Sequence, residues 1–273
     1  MFTYALTLAY EGTDFAGYAK QTDPPQRTIQ GALESALVTA LHLPDDSLKT
    51  VVAGRTDAGV HAAGQVVSFS HPDLGPRLFG PDGTAPLLRS LNALTPPAIS
   101  VRSLRAVPPD FSARFDALTR EYRYYIAPGA QPPLFTRHFA WHVPGFAADP
   151  AHRAQLQQAA AALVGEHDFS SFAVTASLVD KNPVRTILSI EFVDAVFFGE
   201  PLIEIRIVGT AFLQSMVRVI VGTLAAIDAG RIAPDAMPEI LAARLRASAG
   251  PTAPACGLTL FGVTYEQFNS YNS

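Results

Sequence analysis

Hydrophobic and polar positions alternate over residues 2–10, where Phe2, Tyr4, Leu6, Leu8 and Tyr10 are separated by smaller or polar residues. That period of two predicts a strand. The stretch EGTDFAG then supplies loop chemistry. Over residues 28–43 the period lengthens. Ile29, Leu33, Ala36, Leu37 and Leu41 recur at helical spacing, and Thr28 is placed to cap the helix. A short strand at 48–53, a loop reading GRTDAGVHAAG, a strand at 65–69, a helix at 87–94 stopped by Thr95-Pro96-Pro97 and a strand at 99–106 complete the order βαββαβ.

The second half repeats that order. Residues 120–126 are aromatic and β-prone, and a Pro/Gly-rich loop runs over 128–150. A helix at 153–164 ends at Gly165, and strands at 186–193 and 202–208 pair across a hairpin turn. A long helix at 211–229 is closed by Gly230, a further alanine-rich helix covers 234–249, and the last strand is 258–265. The pattern predicts an α+β fold of two ferredoxin-like βαββαβ halves. Together they would form a mixed, mostly antiparallel sheet with helices on one side. The expected division is 1–110, holding the GRTDAGVHA loop, and 111–273, holding the REYRY strand and the MVR-containing helix.

Composition narrows the class. With 273 residues, 48% hydrophobic and 16% charged, the chain can bury a sizeable core and is no disordered polymer. Its single cysteine, Cys256, excludes an internal disulfide and a multi-thiolate metal site, and points to a reduced, cytoplasmic setting. Residues 1–14 lack the basic segment of a signal peptide. The most apolar stretch, 212–229, carries Gln214, Arg218 and Asp228 and is short for a membrane span, so it is expected to be a buried helix and no membrane association is expected. Net charge is −4, which argues against a general polyanion binder but not against a local basic cleft. The cations are 17 Arg and 3 Lys, a balance that suits planar phosphate contacts and equally an arginine-rich genome.

The segment Gly54-Arg55-Thr56-Asp57-Ala58-Gly59-Val60-His61-Ala62 concentrates a carboxylate, a guanidinium, an imidazole and two glycines after a strand end. Such loops carry reactive groups on a rigid scaffold. A turn in which Asp57 bonds its own backbone accounts for the same residues. Asp57 and His61 are two metal donors without a third nearby. An arginine at 218 inside an apolar helix is costly unless paired, and a carboxylate such as Asp57 is its natural partner.

GRTDAGVHA resembles the signature of the tRNA pseudouridine synthase A family, and further segments resemble that family in order along nearly the whole chain. They are Arg27-Thr28-Ile29-Gln30, Leu91-Asn92-Ala93-Leu94, Asp110-Phe111-Ser112-Ala113-Arg114-Phe115, Arg120-Glu121-Tyr122-Arg123-Tyr124, His167–Phe172, Met216-Val217-Arg218 and Ala253-Pro254-Ala255. Three places depart from it: Gly17-Tyr18-Ala19-Lys20-Gln21 where the family reads GWQ-x-Q, Ser112 for a usual His, and Gln214-Ser215 before Met216.

The resemblance implies isomerisation of uridine to pseudouridine in tRNA, at positions 38–40 of the anticodon stem-loop, in a cleft between the two halves. Because the product is an isomer, no cofactor and no metal is expected. By resemblance Asp57 is the essential carboxylate, Arg55 holds the extruded nucleotide or fills its place, and Tyr122 stacks on the uracil, with its phenol also available for proton removal at C5; on pattern alone Tyr122 reads as a core strand aromatic. Arg55 or Arg218 keeps the carboxylate charged. Arg27, Gln30, Asn92, Arg114 and Arg123 are candidates for RNA contact, while surface charge or structural hydrogen bonding accounts for them equally. His61 is expected to brace the loop. The partners implied are tRNA and a second copy of the chain in a homodimer. The readings set against this one are an RNA-binding homologue without catalysis and a metal-dependent hydrolase built on Asp57 and His61.

Overall fold

The structure, a computed structural model, describes residues 2–21, 26–45, 47–72, 74–75, 83–179 and 182–270. The chain divides into two compact units: residues 1–118 with 260–273, and residues 119–259.

In the first unit, strands β1 (Phe2–Tyr10), β2 (Thr50–Val52), β3 (His61–His71) and β4 (Ile99–Val107) alternate with helices α1 (Ile29–Leu41) and α2 (Ala85–Leu94) in the expected βαββαβ order. β1 is central. It runs antiparallel to β3, with Tyr4 opposite Phe69 and Leu6 opposite Val67, and to β4, with Leu6 opposite Leu104. β2 pairs antiparallel with the far end of β3, Thr50 opposite Phe69. α1 buries Ile29, Leu33, Ala36, Leu37, Val38 and Leu41, the stripe its spacing predicts, and Thr28 caps it by accepting from the Gly31 N–H. β3 begins at His61, four residues before the predicted strand, so the last residues of the GRTDAGVHA segment are strand rather than loop.

The second unit contains β5 (Thr119–Ala127), β6 (Trp141–His142), α3 (Pro150–Ala161), β7 (Gly165–Asp168), β8 (Val184–Phe197), β9 (Glu200–Gly209), α4 (Met216–Asp228) and α5 (Met237–Ala243). Its sheet runs β5-β9-β8-β7 with antiparallel neighbours, and the two-residue β6 adds a parallel pair at the end of β5. The sheet is therefore mixed but mostly antiparallel. Eleven of the thirteen residues of α4 are buried. α4 starts at Met216 rather than 211. Leu213 first accepts from the Met216 N–H in a turn, and Ser215 takes a left-handed conformation at φ 59°, which helical continuation does not allow. The helix expected over 234–249 stops at Ala243, where Arg244 turns left-handed at φ 50°, and a single 3₁₀ turn (Arg246–Ser248) follows.

β10 (Leu258–Thr264) is a neighbour of β3, and its residues from Leu260 onward belong to the first unit. There the Ser270 hydroxyl donates to the Gly64 carbonyl and accepts from the Val263 N–H. The division by packing thus returns the chain's last strand to the first unit, an arrangement that a cut at residue 110 does not describe. Among the described residues, no helix is long and apolar enough to cross a membrane.

Candidate active site

The loop after β2 is built around one turn. Val60 N–H donates to the Asp57 carbonyl at 3.2 Å, and Gly59 sits at φ 77°. A positive φ at the third of four residues is the pattern of a type II turn, and it favours glycine there. Asp57 opens the turn with a half-buried side chain, and Arg55 is exposed two residues before it.

Residues 11–18 brace this turn. Gly12 N–H donates to His61 Nδ1 at 3.1 Å, Gly59 N–H to the Phe15 carbonyl at 3.4 Å, and Tyr18 N–H to the Thr56 carbonyl at 3.0 Å. A Cβ on Gly12 would overlap the Val60 carbonyl, so only glycine lets the two backbones meet. Gly17, at φ 99°, approaches Thr56 in the same way. His61 is 2% exposed and accepts through Nδ1, which is the bracing role expected of it. Tyr18 belongs to the segment that departs from the family resemblance. It is buried, and its backbone rather than its phenol holds Thr56.

Neutral polar groups fix the loop from beneath. The Gln65 side-chain amide donates to the Gly54 carbonyl at 2.7 Å and to the Tyr10 hydroxyl at 3.2 Å, and the Tyr10 and Thr56 hydroxyls share a hydrogen bond at 2.8 Å. Burial pushes the Tyr10 pKa up to about 12, although the Thr56 and Gln65 hydrogen bonds oppose the shift. The network stays uncharged. Gly12, Tyr10 and Gln65 escaped the motif-based reading, and Gly17 entered it only within the departing Gly17–Gln21 segment. The two glycines were signalled by their place in a post-strand loop, whereas Tyr10 and Gln65 fit the alternation of any core strand.

The same brace runs into α1. Ile29 N–H donates to the Gly17 carbonyl, Gln30 N–H to the Tyr18 carbonyl, and Ala16 N–H to the Arg27 carbonyl. Arg27 lies exposed with its guanidinium 4.6 Å from the Phe15 ring centre. The Gln30 side chain is occupied within the unit: Oε1 accepts from Lys20 N–H at 3.0 Å and Nε2 donates to Glu34 at 2.9 Å. Asn92 stitches α2 to β4, donating to the Leu88 and Val101 carbonyls and accepting from Val101 N–H. Arg114 is exposed, 5.3 Å from the Phe115 ring centre. Arg27 and Arg114 therefore present cations to solvent, while Gln30 and Asn92 are committed to structure.

In the second unit, Tyr122 lies on β5 opposite Ile207, 7% exposed, with its ring edge-on to Phe212 at 5.1 Å. Arg218 is half-buried near the start of α4. Its Nε donates to the Ala253 carbonyl at 2.8 Å, while its own carbonyl accepts from Ala253 N–H at 3.0 Å. Arg123 joins a charged ladder, bonding Glu121 at 2.7 Å and Glu204 at 3.3 Å, and Arg206 bonds the same Glu204. Burial pushes the Cys256 thiol pKa up, against nucleophilic use. Among the described residues, no three His, Cys, Asp or Glu side chains cluster as metal donors.

Residues 159–266 match the family model described as tRNA pseudouridine synthase. The tRNA pseudouridine synthase A of Bacillus licheniformis is 44% identical over 260 residues, covering 95% of this chain and 98% of that protein. The Chloroflexus aurantiacus protein of the same name is 44% identical over 265 residues, covering 97% and 89%. That of Bacillus subtilis is 39% identical over 263 residues, covering 95% and 98%.

Proposed function

Since the chain belongs to the tRNA pseudouridine synthase A family and isomerises uridine in tRNA to pseudouridine, we propose that Asp57 is its catalytic carboxylate and that its targets are the uridines at positions 38–40 of the anticodon stem-loop. The observation that carries the assignment of Asp57 is the brace around its turn. Three hydrogen bonds donated by the N–H groups of residues 12, 18 and 59, the first to the His61 imidazole and the others to backbone carbonyls, and two glycine contacts hold one carboxylate-bearing turn. A group held so closely avoids the cost of being ordered at the moment of reaction.

Two routes are open to an ionised carboxylate. It can attack C1′, displacing uracil through N1 as a covalent sugar ester forms; the uracil then turns, C5 attacks C1′, and the carboxylate leaves. Alternatively it removes the C2′ proton, expelling uracil to leave a glycal, to which C5 adds as the proton returns. In both, the C5 hydrogen is lost to solvent and N1 gains a proton, so atoms balance without an oxidant or co-reactant. A base stacked in a stem must first leave the stack. Arg55, exposed beside Asp57, is assigned to the extruded nucleotide or the space it vacates. Tyr122 is assigned to stacking on the uracil and Arg218 to keeping the carboxylate charged. Arg27 and Arg114 are assigned to phosphate contact, and Gln30 and Asn92 to holding the elements that carry the site. The protein is taken to act as a homodimer in the cytoplasm.

The test uses unmodified tRNA transcript tritiated at uracil C5. Wild type should release tritium to water, and Asp57→Asn should release none while binding tRNA within a few-fold. Residual turnover in that variant would refute the assignment. Tyr122→Phe keeps the ring and removes the hydroxyl. A near-normal rate is expected if the ring only stacks, and a large loss in kcat would add proton transfer to its role.

A further inference from the structure

We propose that the first unit carries a second tRNA contact, remote from Asp57: a nucleotide pocket beside a rigid stacking turn at residues 112–116. The proposal rests on tRNA being the substrate. A cavity of about 330 Å³ opens between β2, β3 and this turn, lined among others by Ser47, Lys49, Val51, Ser68, Phe111 and Ser112. It combines one ammonium, several hydroxyls and an aromatic wall, which is the chemistry that holds a phosphate and a sugar against an apolar base face.

The turn is anchored on its inner side. Phe111, 7% exposed, packs 5.1 Å from the Tyr265 ring, Ala113 N–H donates to Ser68 Oγ at 3.1 Å, and the Tyr265 hydroxyl donates to the Ala113 carbonyl at 2.6 Å. It is also closed on itself. Ser112 N–H donates to Asp116 Oδ2 at 2.8 Å, Asp116 N–H returns to the Ser112 carbonyl at 3.1 Å, and Phe115 N–H donates to Ser112 Oγ at 3.4 Å. Ser68 and Ser112 use their oxygens as acceptors in these bonds, so each keeps an O–H to donate. The Asp116 carboxylate accepts from the Ser112 N–H and would repel a phosphate placed directly beside it, which leaves the Lys49 side of the cavity for the phosphate.

This pedestal holds Phe115 outward at 79% exposure, with the Arg114 guanidinium 5.3 Å from its ring centre. A rigid exposed ring beside an arginine is a platform on which an unpaired base stacks at little ordering cost. Ser68 lies seven residues along β3 from His61, hence roughly 23 Å at about 3.3 Å per residue. A nucleotide bound here therefore belongs to a part of the tRNA other than the reacting uridine.

The experiment compares full-length tRNA with a minimal anticodon stem-loop, using tritium release for kcat and KM and filter binding for affinity. Phe115→Ala should raise KM for full-length tRNA about tenfold with kcat unchanged, leave the stem-loop unaffected, and be rescued by Phe115→Trp. Lys49→Ala should lower the salt dependence of full-length binding by about one phosphate contact. An unchanged KM for full-length tRNA, or equal losses on both substrates, would overturn the proposal. Altered sedimentation of Phe115→Ala with unchanged KM would assign the turn to a contact between protein chains and overturn it too. Should wild type release no tritium, the isomerase reading fails separately, and filter binding by wild type and Phe115→Ala still decides this one.

Discussion

The turn around Asp57 and the segment that Arg218 grips are held by the same device with opposite chemistry. In the first unit Gly12 admits the Val60 carbonyl. In the second, Gly222 of α4 admits the Pro251 carbonyl, and in both a Cβ would collide with backbone. The fastenings differ. Around Asp57 they are an imidazole, a phenol and an amide, all neutral. Around residues 250–254 they are two guanidinium groups, Arg218 on Ala253 and Arg246 on Gly250, with the Thr223 hydroxyl accepting from Gly250 N–H. A neutral brace positions the Asp57 carboxylate without adding a counter-charge of its own. A charged fastening has two duties, so a substitution at Arg218 disturbs structure as well as any chemistry.

The largest effect that would break this comparison is expected at Gly12. Gly12→Ala forces the 11–18 segment off the Asp57 turn, and a displacement near 1 Å is worth roughly 100-fold in rate. Overpacking also costs about 1–3 kcal/mol of stability. Tritium release and thermal denaturation should fall together, and full turnover would show that the brace is dispensable. Next comes Arg218→Ala, which should lose turnover and also about 2 kcal/mol of stability, the worth of a hydrogen bond from a charged group. Asp57→Asn keeps its backbone bond to Val60 and should unfold in denaturant like wild type. If the two variants proved equally stable, the dual duty assigned to Arg218 would be wrong.

His61→Ala should cost about 1–3 kcal/mol, because the buried Gly12 N–H loses its acceptor, with a smaller rate loss than Gly12→Ala. The smallest effect concerns a third fastening, in the second unit. Desolvation pushes the Glu200 carboxyl upward, but hydrogen bonds from the Phe135 and Leu134 N–H groups and from both the N–H and hydroxyl of Thr136 outweigh it and hold its pKa down to about 2. A depressed carboxyl stabilises the fold above its ordinary pKa near 4.5, and that contribution disappears as pH falls towards 2. Hydrogen exchange at Leu134–Thr136 should therefore be flat from pH 7 to 5, after correction for intrinsic rates, and accelerate only below about 4.5. Glu200→Gln should abolish that acid step.

Period-two and helical patterns made β1, β4 and α1 legible: β4 and α1 bury one face, and β1, buried on both, sets large side chains on one face and small or polar ones on the other. The short edge strand β7, reading GEHD, carries no apolar alternation and was invisible for that reason. The start of α4 was misread by five residues because Ala211, Phe212 and Leu213 are apolar in a turn that helical periodicity cannot distinguish from a first helical turn. At the site, the residues near Asp57 in sequence were legible as a motif. Its supports were not: Tyr10 lies 46 residues from Thr56 and Gly12 lies 49 from His61, distances at which only the folded pairing of β1 with β3 creates a relation.

The return of β10 to β3 bears on how the chain is made. Translation delivers β3 and the Asp57 loop early, but the strand that covers Gly64 and the Ser270 bonds arrive only after residues 119–259 have been synthesised. Throughout that interval one edge of β3 stands open to nascent neighbours, a template for wrong pairing. Slowing the ribosome within the second unit should therefore lower the yield of soluble enzyme, although no residue of the finished protein has changed.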